Sequence, residues 1–285
     1  MVEFENLPDL ADPVLVAAFE GWNDAGEAAS GVIGHLESAW DAVPVAELDP
    51  EDYYDFQVTR PLVELTDEGR SIVWPTTRVS WARPPGSTRD VVLVRGIEPN
   101  MRWRSFCAEL LDVMERLGVR TAVLVGALLA DAPHTRPVPV SGSASGDQVA
   151  GSLHLEPGRY EQSRYEGPTG ILGVFQDACD RAGVDTVALW ASVPHYVAQP
   201  PSPKATLALL RRVEDLLGLT VPLGELPEEA RAWEHGVNEL AEQDTEVAEY
   251  VRSLEEQKDA AELPEASGDA IAREFERYLR GRETG

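Results

Sequence analysis

The stretch TAVLVGALLADAPH, residues 121–134, decides the fold. It runs from Thr121 to Ala130 without a charge and stops at Asp131 and the Pro133-His134 pair, which reads as a buried strand leaving the interior at a polar rim. A second run, TVALWASV (186–193), ends in the same way at Pro194-His195. A third, VLVAAF (14–19), passes into Glu20-Gly21-Trp22-Asn23-Asp24-Ala25-Gly26. In an open parallel sheet, ligands bind in the crevice outside the carboxyl ends of the strands, so residues that follow different strands converge there.

Between these runs lie segments of helical period. DAGEAASGVIGHLESAW (24–40) has Asp24 as its N-cap and Ala28, Val32, Leu36 and Trp40 on one face. WRSFCAELLDVMERLG (103–118) closes on Gly118, and TGILGVFQDACDRAG (169–183) and PSPKATLALLRRVEDLLGL (201–219) complete the set. VPVAEL (43–48) and VVLVRG (91–96) add further apolar runs, while PLVEL (61–65), RSIVWP (70–75) and RVSWA (78–82) suggest hairpin or edge strands. Residues 128–168 read as irregular, with Pro133, Pro137, Pro139 and a loop SGSASG (141–146). The alternation predicts an α/β fold, a mainly parallel sheet flanked by helices on both faces, occupying residues 1–224. From residue 225 the strand signal ends: residues 225–285 hold 18 acidic and 7 basic residues and read as an acidic helical C-terminal extension of two or three amphipathic helices, the last within 267–281.

The formal charge of -26 over 285 residues removes the electrostatic attraction on which nucleic-acid binding depends, so no nucleic acid is expected as a partner. No apolar run is long enough to span a bilayer, and MVEFENLPDLADP lacks the basic and apolar regions of a secretion signal, so no membrane association and a cytoplasmic location are expected. Cys107 and Cys179 stand alone in helical stretches and read as buried free thiols rather than a disulfide or a zinc site. Lys204 and Lys258 are the only lysines among 24 basic residues, a usage that fits a GC-rich genome or a salt-adapted host.

Six blocks in order, FEGWNDAG (19–26), YYDFQVTRP (53–61), GIEPNMRWRSF (96–106), GALLADAPHTRPVPV (126–140), RYEGPTGILGV (164–174) and LWASVPHYVAQPPSPKATLALL (189–210), closely resemble the bacterial, actinobacterial-type branch of the proteasome assembly chaperone 2 family. The resemblance covers about residues 12–255 and implies an α/β fold similar to the purine nucleoside phosphorylase type, a helical C-terminal extension, self-association into a homo-oligomer and, as partners, proteasome subunits. It also brings an older ligase label, which the absence of GxGxxG and GxxxxGK[ST] phosphate loops weakens. Assembly chaperones of this kind dock through a hydrophobic-Tyr-X tail, whereas this sequence ends Arg282-Glu283-Thr284-Gly285, so docking by the tail is not expected.

The candidate ligand-binding rim comprises Glu20, Trp22, Asn23, Asp24, Asp131, His134, Arg136, Gly167, Thr169, Gly170 and His195. Asp131 with two imidazoles could serve acid-base work or hold a metal, though the spacing is no metal signature and a rim histidine more often bonds a loop carbonyl. Gly167-Pro168-Thr169-Gly170 opens a helix whose free N–H groups could hold a phosphate or carboxylate, or could be an ordinary cap. Arg60 and Arg136, each in Thr-Arg-Pro, and Arg102 and Arg104 could bind an anion bidentately or pair with Asp24, Asp55 or Asp131 to lock the loops. Trp22, Trp74, Trp103 and Trp190 read as core or interface anchors. No cofactor and no metal are expected, and no catalytic residue is assigned. The first expectation is a non-enzymatic, homo-oligomeric assembly or scaffolding factor. The alternative is a small-molecule enzyme or sensor that binds an anionic ligand in a nucleoside-phosphorylase-like crevice.

Overall fold

Every side chain from Val14 to Phe19 is buried, because the strand that carries them is covered on both faces. The computed structural model describes residues 3–4, 8–66, 69–145, 153–155, 160 and 163–262. The strands are β1 (Glu3–Phe4), β2 (Val14–Glu20), β3 (Val43–Leu48), β4 (Leu62–Thr66), β5 (Gly69–Val73), β6 (Thr77–Ala82), β7 (Val91–Ile97), β8 (Thr121–Ala130), β9 (Val140–Ser145) and β10 (Asp185–Pro194). The helices are α1 (Ala28–Ala39), α2 (Trp103–Arg116), α3 (Ile171–Ala182), α4 (Pro203–Leu217), α5 (Leu226–Gln243) and α6 (Thr245–Glu262).

One sheet runs in the order β1-β3-β6-β7-β2-β8-β10-β9. Its centre, β7-β2-β8-β10, is parallel, so the carboxyl ends of these four strands share one rim, and antiparallel strands extend the sheet on both sides. Strand alternation splits the interior in two. Val14, Val16 and Ala18 face Val32 and Ile33 of α1 and Leu209 and Val213 of α4, whereas Leu15, Ala17 and Phe19 face Phe106 and Leu110 of α2 and Phe175 of α3. Phe19 meets Phe106 and Phe175 edge-on at 5.7 and 6.3 Å.

Three local expectations change. RVSWA is a hairpin strand but not an edge: as β6 it pairs antiparallel with β7, the next strand in the chain, and β3 adds on its other side, while β4 and β5 form a separate two-stranded hairpin. SGSASG is largely strand rather than loop, since β9 pairs antiparallel along β10, with Gly142 opposite Leu189. The helix expected over 24–40 starts at Ala28 after a 3-10 turn at Ala25–Glu27. Gly118, in the left-handed region at φ 72, follows α2 as expected. Two C-terminal helices, α5 and α6, are present, and the third expected helix lies outside the described residues. No helix among the described residues is long and apolar enough to cross a membrane.

Candidate functional site

The four parallel strands deliver Glu20, Glu98, Asp131 and His195 to the same rim, and the structure sorts the candidate residues there into two clusters.

The first cluster lies where β2, β7 and α3 meet. The buried Asn23 donates its side-chain N–H to Oε1 of Glu98 at 2.9 Å, and the backbone N–H of Ile171, the first residue of α3, donates to the same oxygen at 2.8 Å. Asn23 is also tied to β8, its carbonyl accepting from Ala127 N–H at 2.8 Å. Gly170 is required by space: a Cβ there would stand 2.2 Å from Asn23 Nδ2 and 2.7 Å from Glu98 Oε1. Asp24 caps α1, accepting from Ala29 N–H at 2.6 Å and Ser30 N–H at 3.3 Å. Burial pushes the Asp24 pKa up, while its hydrogen bonds to Ser30 and Ala29 pull it down. Gly167 and Thr169 are exposed, and Trp22 stands 65% exposed beside the cluster. The α3 N-terminus offered above to a phosphate or carboxylate therefore already holds a carboxylate, that of Glu98. Glu98 is absent from the sequence-based set although its signal is the same as that of the others: an apolar strand, VVLVRGI, followed by an acid.

The second cluster lies beneath α5 and α6. His134 is buried, its Nε2 hydrogen-bonded with Asn238 Oδ1 at 3.0 Å and its Nδ1 with the Tyr196 hydroxyl at 2.7 Å. That hydroxyl in turn accepts from His134 backbone N–H at 2.8 Å. Burial lowers the His134 pKa and raises that of Tyr196 to about 12. His195 pairs with Asp131 at 3.2 Å, and Asp131 also accepts from the Tyr250 hydroxyl of α6 at 3.0 Å. Arg136 grips α6 with both ends of its fork, on Asp259 at 3.0 and 2.8 Å and on Glu255 at 3.1 Å. Thr135 donates to Glu255, and Lys258 donates to Pro137 O at 2.9 Å. Lys204 bridges the layers, bound to Glu234 of α5 at 2.7 Å and to His134 O at 2.5 Å. A cavity of about 290 Å³ remains beneath α6, but its charged groups, Asp131 and Lys258, are among those already bonded.

The two imidazoles expected to serve one site thus have separate employment, and Arg136 pairs with helical acids rather than with Asp131 or an anion. Among the described residues no group of three or more His, Cys, Asp and Glu is placed to hold a metal. Cys107 and Cys179 are buried free thiols, and burial pushes both up to about 12, which leaves them unreactive.

Against this geometry, the model of the PAC2 family matches residues 18–241, from the end of β2 into α5. The chain belongs to the PAC2 family. It is 60% identical to a PAC2 family protein from Streptomyces avermitilis, with a TM-score of 0.77 over 84% of this chain and 100% of that one. It is 57% identical to a proteasome-assembly chaperone homologue from Mycobacterium tuberculosis, with a TM-score of 0.74 over 84% and 99% of the two chains. An archaeal proteasome activator from Pyrococcus furiosus, 18% identical, shares the fold with a TM-score of 0.65 over 84% and 98%. No curated protein matches the chain. The family resemblance carried by the six sequence blocks is therefore correct, and it extends to actinobacterial relatives.

Proposed function

We propose that this PAC2 protein is a non-enzymatic assembly or scaffolding factor, acting in the cytoplasm as a homo-oligomer, with proteasome subunits as partners. The observation that carries this reading is the occupied rim. His134, Arg136 and Asp131, the groups that acid-base or anion chemistry would use, are engaged by Asn238, Glu255, Asp259 and Tyr250 of the C-terminal helices. In this reading the helical segment from residue 225 is a cover on the 1–224 core, and the alternative of an enzyme or sensor at the rim rests on side chains already in use. The partner class follows the M. tuberculosis relative.

Self-association has a surface to use. In the β4–β5 hairpin Val63 lies opposite Ile72, and Leu65 shares their face; these three are 51, 47 and 85% exposed. An isolated two-stranded hairpin is marginal in water, and an exposed apolar face of this kind is stabilised by a second copy.

Native mass spectrometry of the full chain, alone and mixed with the proteasome α and β subunits of its own organism, tests both parts. A homo-oligomer that forms a defined complex with those subunits supports the proposal. A monomer that forms none overturns it. The Val63→Glu/Leu65→Glu variant is expected to lose self-association while keeping the circular dichroism spectrum of the folded chain, because neither side chain is in the core.

A further inference from the structure

A cavity of about 340 Å³ lies between the β4–β5 hairpin and the β6–β7 part of the sheet, and nothing in the rim clusters fills it. It falls at the small end of the range for ligand pockets, about 300–1,000 Å³. Its apolar wall is made by Leu62 and Val73, which are paired across the hairpin on the face opposite Val63, together with Trp74. Phe56 packs against Trp74, ring centroids 4.8 Å apart.

Three guanidiniums, Arg60, Arg78 and Arg95, and two carboxylates, Glu20 and Glu37, supply its charge. The arginines are unusually underused. Arg95 stands 3.6 Å from Glu20 and 3.8 Å from Glu37, and Arg78 stands 3.7 Å from Glu47, all beyond hydrogen-bond length. Arg95 lies against α1 where Gly34 leaves room for it, a Cβ there falling 3.0 Å from Nη1. Arg60 has no ion-pair or hydrogen-bond partner among the described residues, in contrast to Arg136 and Arg102, which are bound to Glu255 and Asp52. Its backbone is nevertheless held, between Pro61 and a Thr59 whose hydroxyl donates to Asn100 at 3.0 Å.

The charge balance selects the ligand. Arg95 faces Glu20 and Glu37 and Arg78 faces Glu47, which leaves Arg60 as the one guanidinium of the cavity with no acid beside it among the described residues, in a molecule whose net charge is -26. The Debye length of about 8 Å at physiological salt makes this local balance the one a bound ligand feels. A polyphosphate brings more charge than the cavity can neutralise, and a cation meets the donors of Arg60. A single carboxylate satisfies the fork geometry of a guanidinium. We propose that this cavity binds a small monocarboxylate with an apolar or aromatic body, its carboxylate on Arg60 and its body against Trp74, Leu62 and Val73.

The test is a titration of the full chain followed by nitrogen–proton and methyl NMR, with 3-phenylpropionate and its uncharged isostere 3-phenylpropanamide as probes. The Trp74 indole signal is assigned through Trp74→Phe. The acid is expected to shift the Trp74 indole and the Leu62 and Val73 methyls, and to bind about tenfold more tightly than the amide, the worth of one charge-assisted hydrogen bond. Arg60→Gln, an exposed change that leaves the rest of the spectrum in place, is expected to abolish that preference. Equal affinities for acid and amide, a preference that survives Arg60→Gln, or no shift at Trp74 with about 10 mM acid overturns the proposal.

Discussion

Adding one methyl group at Gly170 tests whether the Asn23–Glu98 cluster is the joint that holds β2, β7 and α3 in register. The new Cβ would lie 2.2 Å from Asn23 Nδ2, 2.6 Å from Asn23 Oδ1 and 2.7 Å from Glu98 Oε1, all shorter than real Cβ contacts. Asn23 cannot retreat, because it is 2% exposed and its carbonyl is bonded to Ala127. Overpacking of this kind costs about 1–3 kcal/mol if the side chains hold. If they yield, two hydrogen bonds to a carboxylate are lost, worth about 1.5–3 kcal/mol each when buried and less at the half-buried Glu98. The two costs are alternatives rather than a sum, so Gly170→Ala is expected to destabilise by the smaller of them, about 1–3 kcal/mol, lowering the melting temperature by roughly 2–5 °C for a chain of this size. Thermal and urea unfolding followed by circular dichroism measure this. The sharper assay is the cycle with Asn23→Ala, which removes the clashing amide and leaves only the mobile end of Glu98 near the methyl. Gly170→Ala is then expected to cost less than half as much in the Asn23→Ala background. Equal costs in both backgrounds, or a loss below about 0.5 kcal/mol in the wild-type background, refute the close packing at this joint.

His134, with a pKa depressed below its ordinary 6.5 mainly by burial, binds fewer protons folded than unfolded. Stability is therefore expected to fall as pH drops through 6.5 toward the depressed folded value and to lose nothing further from this group below it, and His134→Gln should remove that component from unfolding curves measured across the window. Arg136→Ala is expected to speed amide hydrogen exchange across residues 245–258 several-fold, because the fork on Asp259 and Glu255 is lost, while β2 and β8 keep their protection. Uniform acceleration throughout the chain would show that α6 does not open as a separate unit.

The sheet was legible where burial writes a continuous apolar run. VLVAAF, VVLVRG, TAVLVGALLA and TVALWASV carry their own signal because each is covered on both faces, and they are the four strands of the parallel centre. SGSASG is a strand only through its neighbour: small residues pair along β10 without supplying an apolar pattern, so composition pointed to a loop. RVSWA alternates as an edge strand would, and nothing local reveals that β3 adds beyond it. At the rim, the convergence of strand exits could be read from the strand pattern, but the partners could not. Asn238, Tyr250, Glu255 and Asp259 lie more than a hundred residues from the groups they engage, on helices that read from sequence only as amphipathic and acidic. Glu98 was hidden for another reason: its role depends on a helix terminus seventy-three positions later.

The seam between the C-terminal helices and the core also holds both lysines of the chain. Lys204 is held by Glu234 and the His134 carbonyl, and Lys258 by the Pro137 carbonyl. Every other cationic side chain is an arginine or a histidine. A reagent or enzyme selective for side-chain amines therefore has only this seam to act on. Acylating Lys204 or Lys258 removes a charge from the junction itself, and amine-directed labelling becomes a direct report of whether the cover is seated.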